Sequence, residues 1–342
     1  MPIQSKPRVS DTPIFLRSFE RAWRRPAAYL TSTAGLLLLG MLGAYPAYRT
    51  VDALAENRYP VGSQHFNLEA NFWVDHATKL SELFSAVSTA AGLLAFLAWC
   101  FGIFTAGGWL RMLLDPGRGN GRLFIVGGAR YFWRFVRLAL LLVLLLHFIG
   151  VLCHGALWKD WVVEGLAGLR GGKLELADSE LTVRRLDWAQ SSLYSLCVAL
   201  LLAWALFTRA RLVLQNRRSV LLAGAETAWL LLRHPIRTLR PLALLLVFEA
   251  LGLAGLTALF RGLEGGLREP DGAAWRMPLL LALALLFVLW RELTHGARYA
   301  AALEVSTELV KPLVVDPWQD RVGGPGGPQY PLSDSDEFRV SM

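Results

Sequence analysis

Residues 209–248 read RARLVLQNRRSVLLAGAETAWLLLRHPIRTLRPLALLLVF, and this stretch decides the fold. It begins with an arginine-rich turn, continues as an amphipathic helix that carries Trp229, breaks at His234-Pro235 and ends in a long apolar helix. An amphipathic helix with arginines beside its polar face is typical of a segment that lies in the membrane interface. The apolar helix that follows predicts a membrane span, which the amphipathic helix leads into.

The composition of the whole chain indicates the same environment. Of 342 residues, 54% are hydrophobic and only 18% are charged, and the apolar residues occur in long blocks. A helix needs about 20 mostly apolar residues to cross the hydrocarbon core of a bilayer. The segments that satisfy this requirement are Tyr29–Tyr48, Leu83–Leu110, Leu138–Trp158, Trp188–Thr208, Pro241–Phe260 and Met277–His295.

The distribution of basic residues predicts how these spans are oriented. Alternate threading places both termini and the loops at 110–137 and 209–240 on one side, together with roughly two thirds of the 35 lysines and arginines. By the positive-inside bias, we expect a multi-pass protein of a cell inner membrane with cytoplasmic N- and C-termini. Because the net charge of +8 arises from arginines beside apolar spans, we expect no binding of nucleic acid.

Two further stretches repeat the pattern of residues 209–248. Residues 19–30, FERAWRRPAAYL, match residues 225–239, AETAWLLLRHPIRTL, with a three-residue insertion. The matched pairs include Glu20 with Glu226, Trp23 with Trp229 and Pro26 with Pro235. Residues 128–142, GARYFWRFVRLALLL, keep the aromatic and arginine residues but lack the glutamate and the proline. Similarity at such intervals is the signature of an internal repeat.

We therefore predict an all-α integral membrane protein with six transmembrane helices, arranged as three parallel pseudo-repeats. Each repeat consists of an interfacial amphipathic helix plus a two-span hairpin. The membrane domain is expected at residues 12–310, and its units cover about 12–110, 111–208 and 209–303. The flanking N-terminus, residues 1–11, and the acidic C-terminal tail, residues 311–342, lack hydrophobic periodicity and are expected to be disordered.

One connection between spans has a different pattern. Residues 173–186, KLELADSELTVRRL, alternate between apolar and polar side chains around the central residues Ala177-Asp178-Ser179-Glu180. Such alternation predicts a small external β-hairpin. Asp187 then has the short polar side chain that favours the N-cap of the helix forming span four.

The sequence TRARLVLQNRRSVLLAGAETAWLLLRHP at 208–235, with its N-terminal echo, resembles a group of poorly characterised bacterial six-helix membrane families. This group includes the membrane domain fused to some glycerophosphoryl diester phosphodiesterases. The resemblance implies a membrane module. Because no phosphodiesterase motif accompanies it, the resemblance implies no catalytic residue in this chain.

Arginines in the three repeats are candidates for contacts with lipid head groups. In the first two repeats they follow i, i+4, i+7 spacing, which places them on one face of a helix. The candidates are Arg17, Arg21, Arg24, Arg130, Arg134, Arg137, Arg217, Arg218, Arg233 and Arg237. Basic residues beside a membrane attract anionic lipids, so anionic phospholipids are the expected partners.

Two ionisable residues are predicted near the midplane of the membrane. Glu249 lies eight residues past Pro241, about 12 Å into span five, and His147 lies at a similar depth in span three. Ionisable residues at this depth are costly and mark functional sites. If spans three and five touch, the two side chains share a proton or form an ion pair. The alternative is that each is satisfied by a hydrogen bond within its own surroundings.

The sequence contains no nucleotide, metalloprotease or Ser-His-Asp motif, and its histidines match no metal-ligand spacing. We therefore expect no enzyme activity, metal or cofactor. The expected function is that of a lipid-binding scaffold or an accessory subunit of a membrane complex, with other membrane proteins as further partners. The alternative function is transport of a small molecule or lipid through a site at Glu249 and His147.

Overall fold

The computed structural model describes residues 13–55, 77–115, 121–166, 179–217, 219–265 and 273–309. Within these ranges the chain is entirely helical, and six of its helices are long and apolar enough to cross a membrane. The prediction of an all-α protein with six membrane spans is confirmed. The predicted disordered residues 1–11 and 311–342 lie outside the described ranges.

Eight principal helices follow one another within the described residues. They are α1 (Ile14–Trp23), α2 (Pro26–Ala55), α3 (Ala77–Leu114), α4 (Gly121–His154), α5 (Glu180–Leu214), α6 (Val220–Arg233), α7 (Pro235–Gly265) and α8 (Ala273–Leu309). A short helix, Ala156–Trp158, and a π-helical segment, Lys159–Leu166, follow α4. The candidate membrane spans are Pro26–Pro46, Ala91–Leu114, Gly121–Gly165, Glu180–Leu214, Pro235–Leu263 and Pro278–Leu309.

Prolines set two of the helix boundaries as the sequence predicts. The helix α1 ends at Trp23 and α2 begins at Pro26, while α6 ends at Arg233 and α7 begins at Pro235. Proline is favoured at the first position of a helix because its missing N–H has no partner there in any case. The middle copy, residues 128–142, has no proline, and α4 accordingly continues without a break from Gly121 to His154.

The predicted β-hairpin is wrong for the part of it that the structure describes. The helix α5 begins at Glu180, and the hydroxyl of Ser179 caps it by accepting a hydrogen bond from the backbone N–H of Leu181 at 3.2 Å. Asp187, expected as the cap, lies inside this helix. The apolar residues after Ser179 therefore belong to a helix that extends the span beyond its predicted start at Trp188.

The tightly packed core lies toward the arginine-bearing ends of the helices. Its buried residues come from the inward faces of 103–113 in α3, 124–139 in α4, 207–213 in α5 and 293–305 in α8. Toward the opposite ends, leucines such as Leu38, Leu144 and Leu281 are exposed on the protein surface. Exposed leucines suit a surface that faces lipid chains, because lipid is as apolar as the side chain itself.

Small residues allow the helices to approach closely within this core. A Cβ atom added at Gly107 of α3 would lie 2.8 Å from the carbonyl oxygen of Gly127 on α4. On α8, Ala297 and Ala300–Ala302 are fully or almost fully buried. Close approach through small residues is the usual way that membrane helices gain packing contacts.

The segments preceding the hairpins pack in a cyclic order. We call α1, residues 121–137 of α4, and α6 the entry segments. Among the described helices, α3 packs against α4, α5 packs against α6, and α8 packs against α1. The contact between α8 and α1 joins the two ends of the chain, so the arrangement closes on itself.

Candidate functional site

Five of the predicted head-group arginines bind other parts of the protein. Arg17 forms an ion pair with Glu304 at 2.9 Å, and Arg21 donates to the carbonyl oxygen of Leu113 at 2.7 Å. Arg24 pairs with Glu20, Arg134 donates to the side chain of Asn216 at 2.7 Å, and Arg217 pairs with Glu226 at 2.6 Å. Four of these contacts join segments far apart or on different elements, so these arginines also hold the helices together.

The ends of α1 and α3 are joined by a second arginine contact that the sequence did not predict. Arg25 is 8% exposed and donates to the carbonyl oxygen of Asp115. Burial lowers the pKa of the Arg25 guanidinium, while the Asp115 carboxylate acts in the opposite direction. An arginine keeps its charge under such a shift, so Arg25 is a cation held at the end of α3.

A half-buried cluster of charges joins α5 to α6. Glu226 accepts from Arg217 and also forms an ion pair with Arg211, and the three side chains are between 12% and 31% exposed. One carboxylate of α6 thus holds two guanidinium groups, one from α5 and one from the α5–α6 turn. Nearby on α5, Arg209 donates to the hydroxyl of Tyr299 on α8 at 3.0 Å.

Arg130, Trp133, Arg134 and Arg137 line a cleft of about 260 Å³ on α4. Tyr131 is buried behind it, and its ring lies 5.6 Å from the Arg134 guanidinium and 5.9 Å from that of Arg130. These distances suit a cation–π contact that holds the guanidinium groups in place. The cleft therefore presents three cations with no acidic side chain among its lining residues.

Three further candidates lie at the surface of the protein. Arg137, Arg233 and Arg237 are exposed, and no hydrogen bond or ion pair joins their side chains to another residue of the described ranges. Arg237 lines a cleft of about 360 Å³ between α1, α7 and α8, together with Arg240 and Glu308. The last candidate, Arg218, lies outside the described residues.

Each entry segment carries one exposed tryptophan. Trp23, Trp133 and Trp229 are 56%, 71% and 66% exposed. In each segment a small buried residue lies five positions before the tryptophan. These residues are Ser18, Gly128 and Gly224. Tryptophan is favoured at the level of lipid head groups, where its ring meets both apolar and polar surroundings.

Glu249 has an ionic partner that the sequence analysis missed. Its carboxylate lies 3.3 Å from a guanidinium nitrogen of Arg298 on α8, and its backbone oxygen accepts from the Trp290 indole at 3.3 Å. Its neighbour Phe248 packs on Phe19 of α1, with ring centroids 5.2 Å apart, so Glu249 lies at the level of α1.

His147 lies on an exposed part of α4, and α4 and α7 are not among the helix pairs that pack extensively. The structure thus joins Glu249 to Arg298 and does not bring the two predicted midplane residues together.

An apolar groove of about 790 Å³ lies between the second and third predicted units. Its lining residues include Leu141 and Leu145 of α4, Leu200 and Trp204 of α5, and Leu221 of α6. The Trp204 indole donates to the carbonyl oxygen of Gly224 at 2.8 Å, which fixes α6 against α5. Because both residues line the groove, this contact fixes part of its wall.

Among the described residues, no group of three or more histidine, cysteine, aspartate or glutamate side chains is arranged to hold a metal ion. Comparison of the chain with protein-family models, with curated proteins and with solved structures finds no match. The function must therefore be inferred from the surface chemistry of the described residues.

Proposed function

We propose that this protein is a lipid-binding scaffold or accessory subunit of a bacterial inner-membrane complex. The observation that carries the proposal is the set of arginines and exposed tryptophans on the three entry segments, all at the same end of the helical bundle. Guanidinium groups at the head-group level attract anionic lipids, and each contributes about 1 kcal/mol near a membrane surface. The matching tryptophans anchor the same level of the protein in the interface.

Three pseudo-repeats account for the position of the three entry segments at one end of the bundle. The cyclic packing of α3 with α4, α5 with α6, and α8 with α1 is what a threefold arrangement about the membrane normal requires. The equal five-residue spacing between the small buried residue and the tryptophan of each entry segment supports the same interpretation. This architecture agrees with the resemblance to bacterial six-helix families, which implies a membrane module.

The same proposal places the arginine end of the bundle, and both termini, in the cytoplasm. It depends on the positive-inside bias, which acts through short loops such as the α5–α6 turn. Reporter fusions at the two termini should be active only with a reporter that requires the cytoplasm. Activity of a periplasm-specific reporter at either terminus would exclude this orientation.

Anionic lipid should stabilise the purified protein. In detergent, phosphatidylglycerol is expected to raise the apparent melting temperature by about 2–4 °C, whereas phosphatidylcholine at equal concentration should leave it unchanged. Combined substitution of Arg137, Arg233 and Arg237 by glutamine should reduce this shift, because these arginines are exposed and have no other partner in the described ranges. Thermal unfolding followed by size-exclusion chromatography measures the effect.

A matched control removes three charges from the opposite end of the bundle. Lys159, Arg184 and Arg185 are exposed there, and their substitution by glutamine should preserve the full response to phosphatidylglycerol. Equal responses of the wild type to both lipids would count against the proposal. So would equal losses in the two triple variants, because that result would reflect net charge alone.

A second candidate function is transport of a small molecule or lipid. It is favoured by the ion pair of Glu249 with Arg298, which lies within helices long and apolar enough to span the membrane. Charged side chains in such segments often line a pathway for substrate or protons. In proteoliposomes this candidate requires a solute or proton flux that Glu249→Gln or His147→Ala abolishes. A flux unchanged by both substitutions would remove its support.

A further inference from the structure

The cationic cleft and the apolar groove are lined by neighbouring turns of the same helix, α4. Arg137 lines the cleft, and Leu141, Leu145 and Ile149 line the groove at successive four-residue intervals on the same helix. Residues spaced by four form a ridge on an α-helix that is inclined by about 26° to its axis. From Arg137 to Ile149 this ridge is about 18 Å long, which is close to the hydrocarbon depth of one leaflet, about 15 Å.

The turn between α5 and α6 also connects the cleft to the groove. Arg134, which lines the cleft, donates to the side chain of Asn216 and to the backbone oxygen of Arg217 in that turn. Leu221, in the first turn of α6, already lines the groove. The cations therefore lie at the end of the groove where the entry segment α6 begins.

The cationic cleft and the apolar groove suit chemically different parts of a ligand. The cleft is lined by three arginines and a tryptophan, and guanidinium groups bind phosphate oxygens through paired hydrogen bonds. The groove is lined almost wholly by leucine, isoleucine and alanine side chains, and an apolar cavity holds hydrocarbon in preference to water. A ligand that fills both must carry a phosphate at one end and a long hydrocarbon chain at the other.

We infer that this surface binds one anionic glycerophospholipid, with its phosphate at Arg130, Arg134 and Arg137 and one acyl chain in the groove beside Leu145 and Trp204. The inference rests on the proposed lipid-binding function and assigns it a particular site. The site is assigned to α4 because the cationic cleft of this entry segment lies beside an apolar groove of about 790 Å³. The bound lipid fills the space between α4, α5 and α6 and so joins the second and third units.

Native mass spectrometry of the full-length protein in detergent tests the site. The probes are dioleoyl phosphatidylglycerol, its dihexanoyl analogue, dioleoyl phosphatidylcholine and glycerol 3-phosphate. We expect the wild type to retain one dioleoyl phosphatidylglycerol at least about tenfold more tightly than any other probe. Binding of glycerol 3-phosphate or the short-chain lipid with equal affinity would overturn the site, because the groove would then contribute nothing.

Substitutions separate the two halves of the site. Arg137→Ala and Leu145→Trp should each weaken retention of the long-chain lipid by about tenfold, as expected for one charge-assisted hydrogen bond or for a blocked chain. Leu200→Trp fills the groove from α5 and provides a second variant if Leu145→Trp folds poorly. The double variant Arg137→Ala/Leu145→Trp should lose less than the product of the two single effects, because both act on one ligand.

Matched controls keep the outcome specific. Leu144 is exposed on α4 but does not line the groove, so Leu144→Trp should bind phosphatidylglycerol as the wild type does. Lys159→Ala removes a cation away from the cleft and should also bind this lipid as the wild type does. If phosphatidylglycerol is preferred but Leu145→Trp and Leu200→Trp retain it as Leu144→Trp does, the site is refuted and the proposed function stands. If the wild type does not prefer phosphatidylglycerol to phosphatidylcholine, the proposed function itself fails.

Discussion

Gly107→Leu is expected to lower the apparent melting temperature by about 3 °C or more, which corresponds to about 2 kcal/mol or more for a chain of this size. A Cβ atom at Gly107 would meet the backbone oxygen of Gly127 at 2.8 Å and the Cα of Gly128 at 3.1 Å. Backbone atoms have no alternative rotamer, so α3 and α4 must move apart. Because this contact lies in the main core, the separation also disturbs the packing of Phe124, which is fully buried.

Gly102→Leu is the matched control for this prediction. Gly102 is exposed on the same helix, five residues earlier, and an added Cβ there meets no atom within 4 Å. Its substitution should leave the melting temperature unchanged or raise it slightly, because leucine favours a helix more than glycine does. Thermal unfolding of both variants in the same detergent gives the comparison. Equal effects of the two substitutions would show that α3 and α4 do not pack as described.

Glu226→Gln is expected to destabilise the protein by about 2 kcal/mol, because the carboxylate holds both Arg211 and Arg217. The neutral amide would leave the two guanidinium groups close together in a half-buried site without a countercharge. The loss should appear as a lower melting temperature and as greater protease sensitivity at the α5–α6 turn. Limited proteolysis with mapping of the cleavage sites measures the second effect.

Glu20→Gln is the corresponding control, since the sequence comparison pairs Glu20 with Glu226. Glu20 binds only the exposed Arg24 in the described structure, and the two side chains are 58% and 74% exposed. Exposed ion pairs contribute about 0–1 kcal/mol, so Glu20→Gln should have little effect on stability. A loss as large as that of Glu226→Gln would contradict the difference in burial on which the prediction depends.

The local features of the fold could be predicted from the sequence because they depend on short segments. Pro26 and Pro235 begin helices, and the six apolar blocks form long helices. The hairpin prediction failed for a local reason as well. Leu181 and Val183 fit an alternating pattern, but a serine at position 179 also caps a helix that continues directly into an apolar span, and the helix is what forms.

The partners of the charged residues could not be predicted, because they depend on the register between distant helices. The contact between Arg17 and Glu304 joins residues near opposite ends of the chain, and Arg298 meets Glu249 across two packed helices. Spacing along one helix indicates which arginines share a face. It does not indicate whether an acidic residue from another helix lies opposite that face.

Only part of the candidate lipid site could be predicted from the sequence, for the same reason. The i, i+4, i+7 spacing identified Arg130, Arg134 and Arg137 as one basic face. The groove beside them is formed by leucines from three other elements and α4 itself, and only the packing of α6 on Trp204 brings these together. Leucines in an apolar span carry no signal that separates a groove from an ordinary lipid-facing surface.

Enrichment of anionic lipid at the arginine end of the bundle can be measured in the native membrane. The full-length protein is extracted in polymer-bounded nanodiscs, and the anionic fraction of its lipid shell is compared with that of the bulk membrane. The account predicts enrichment of at least about twofold, since each arginine near the surface favours anionic lipid by about 1 kcal/mol. A lipid shell with the same anionic fraction as the bulk membrane would contradict it.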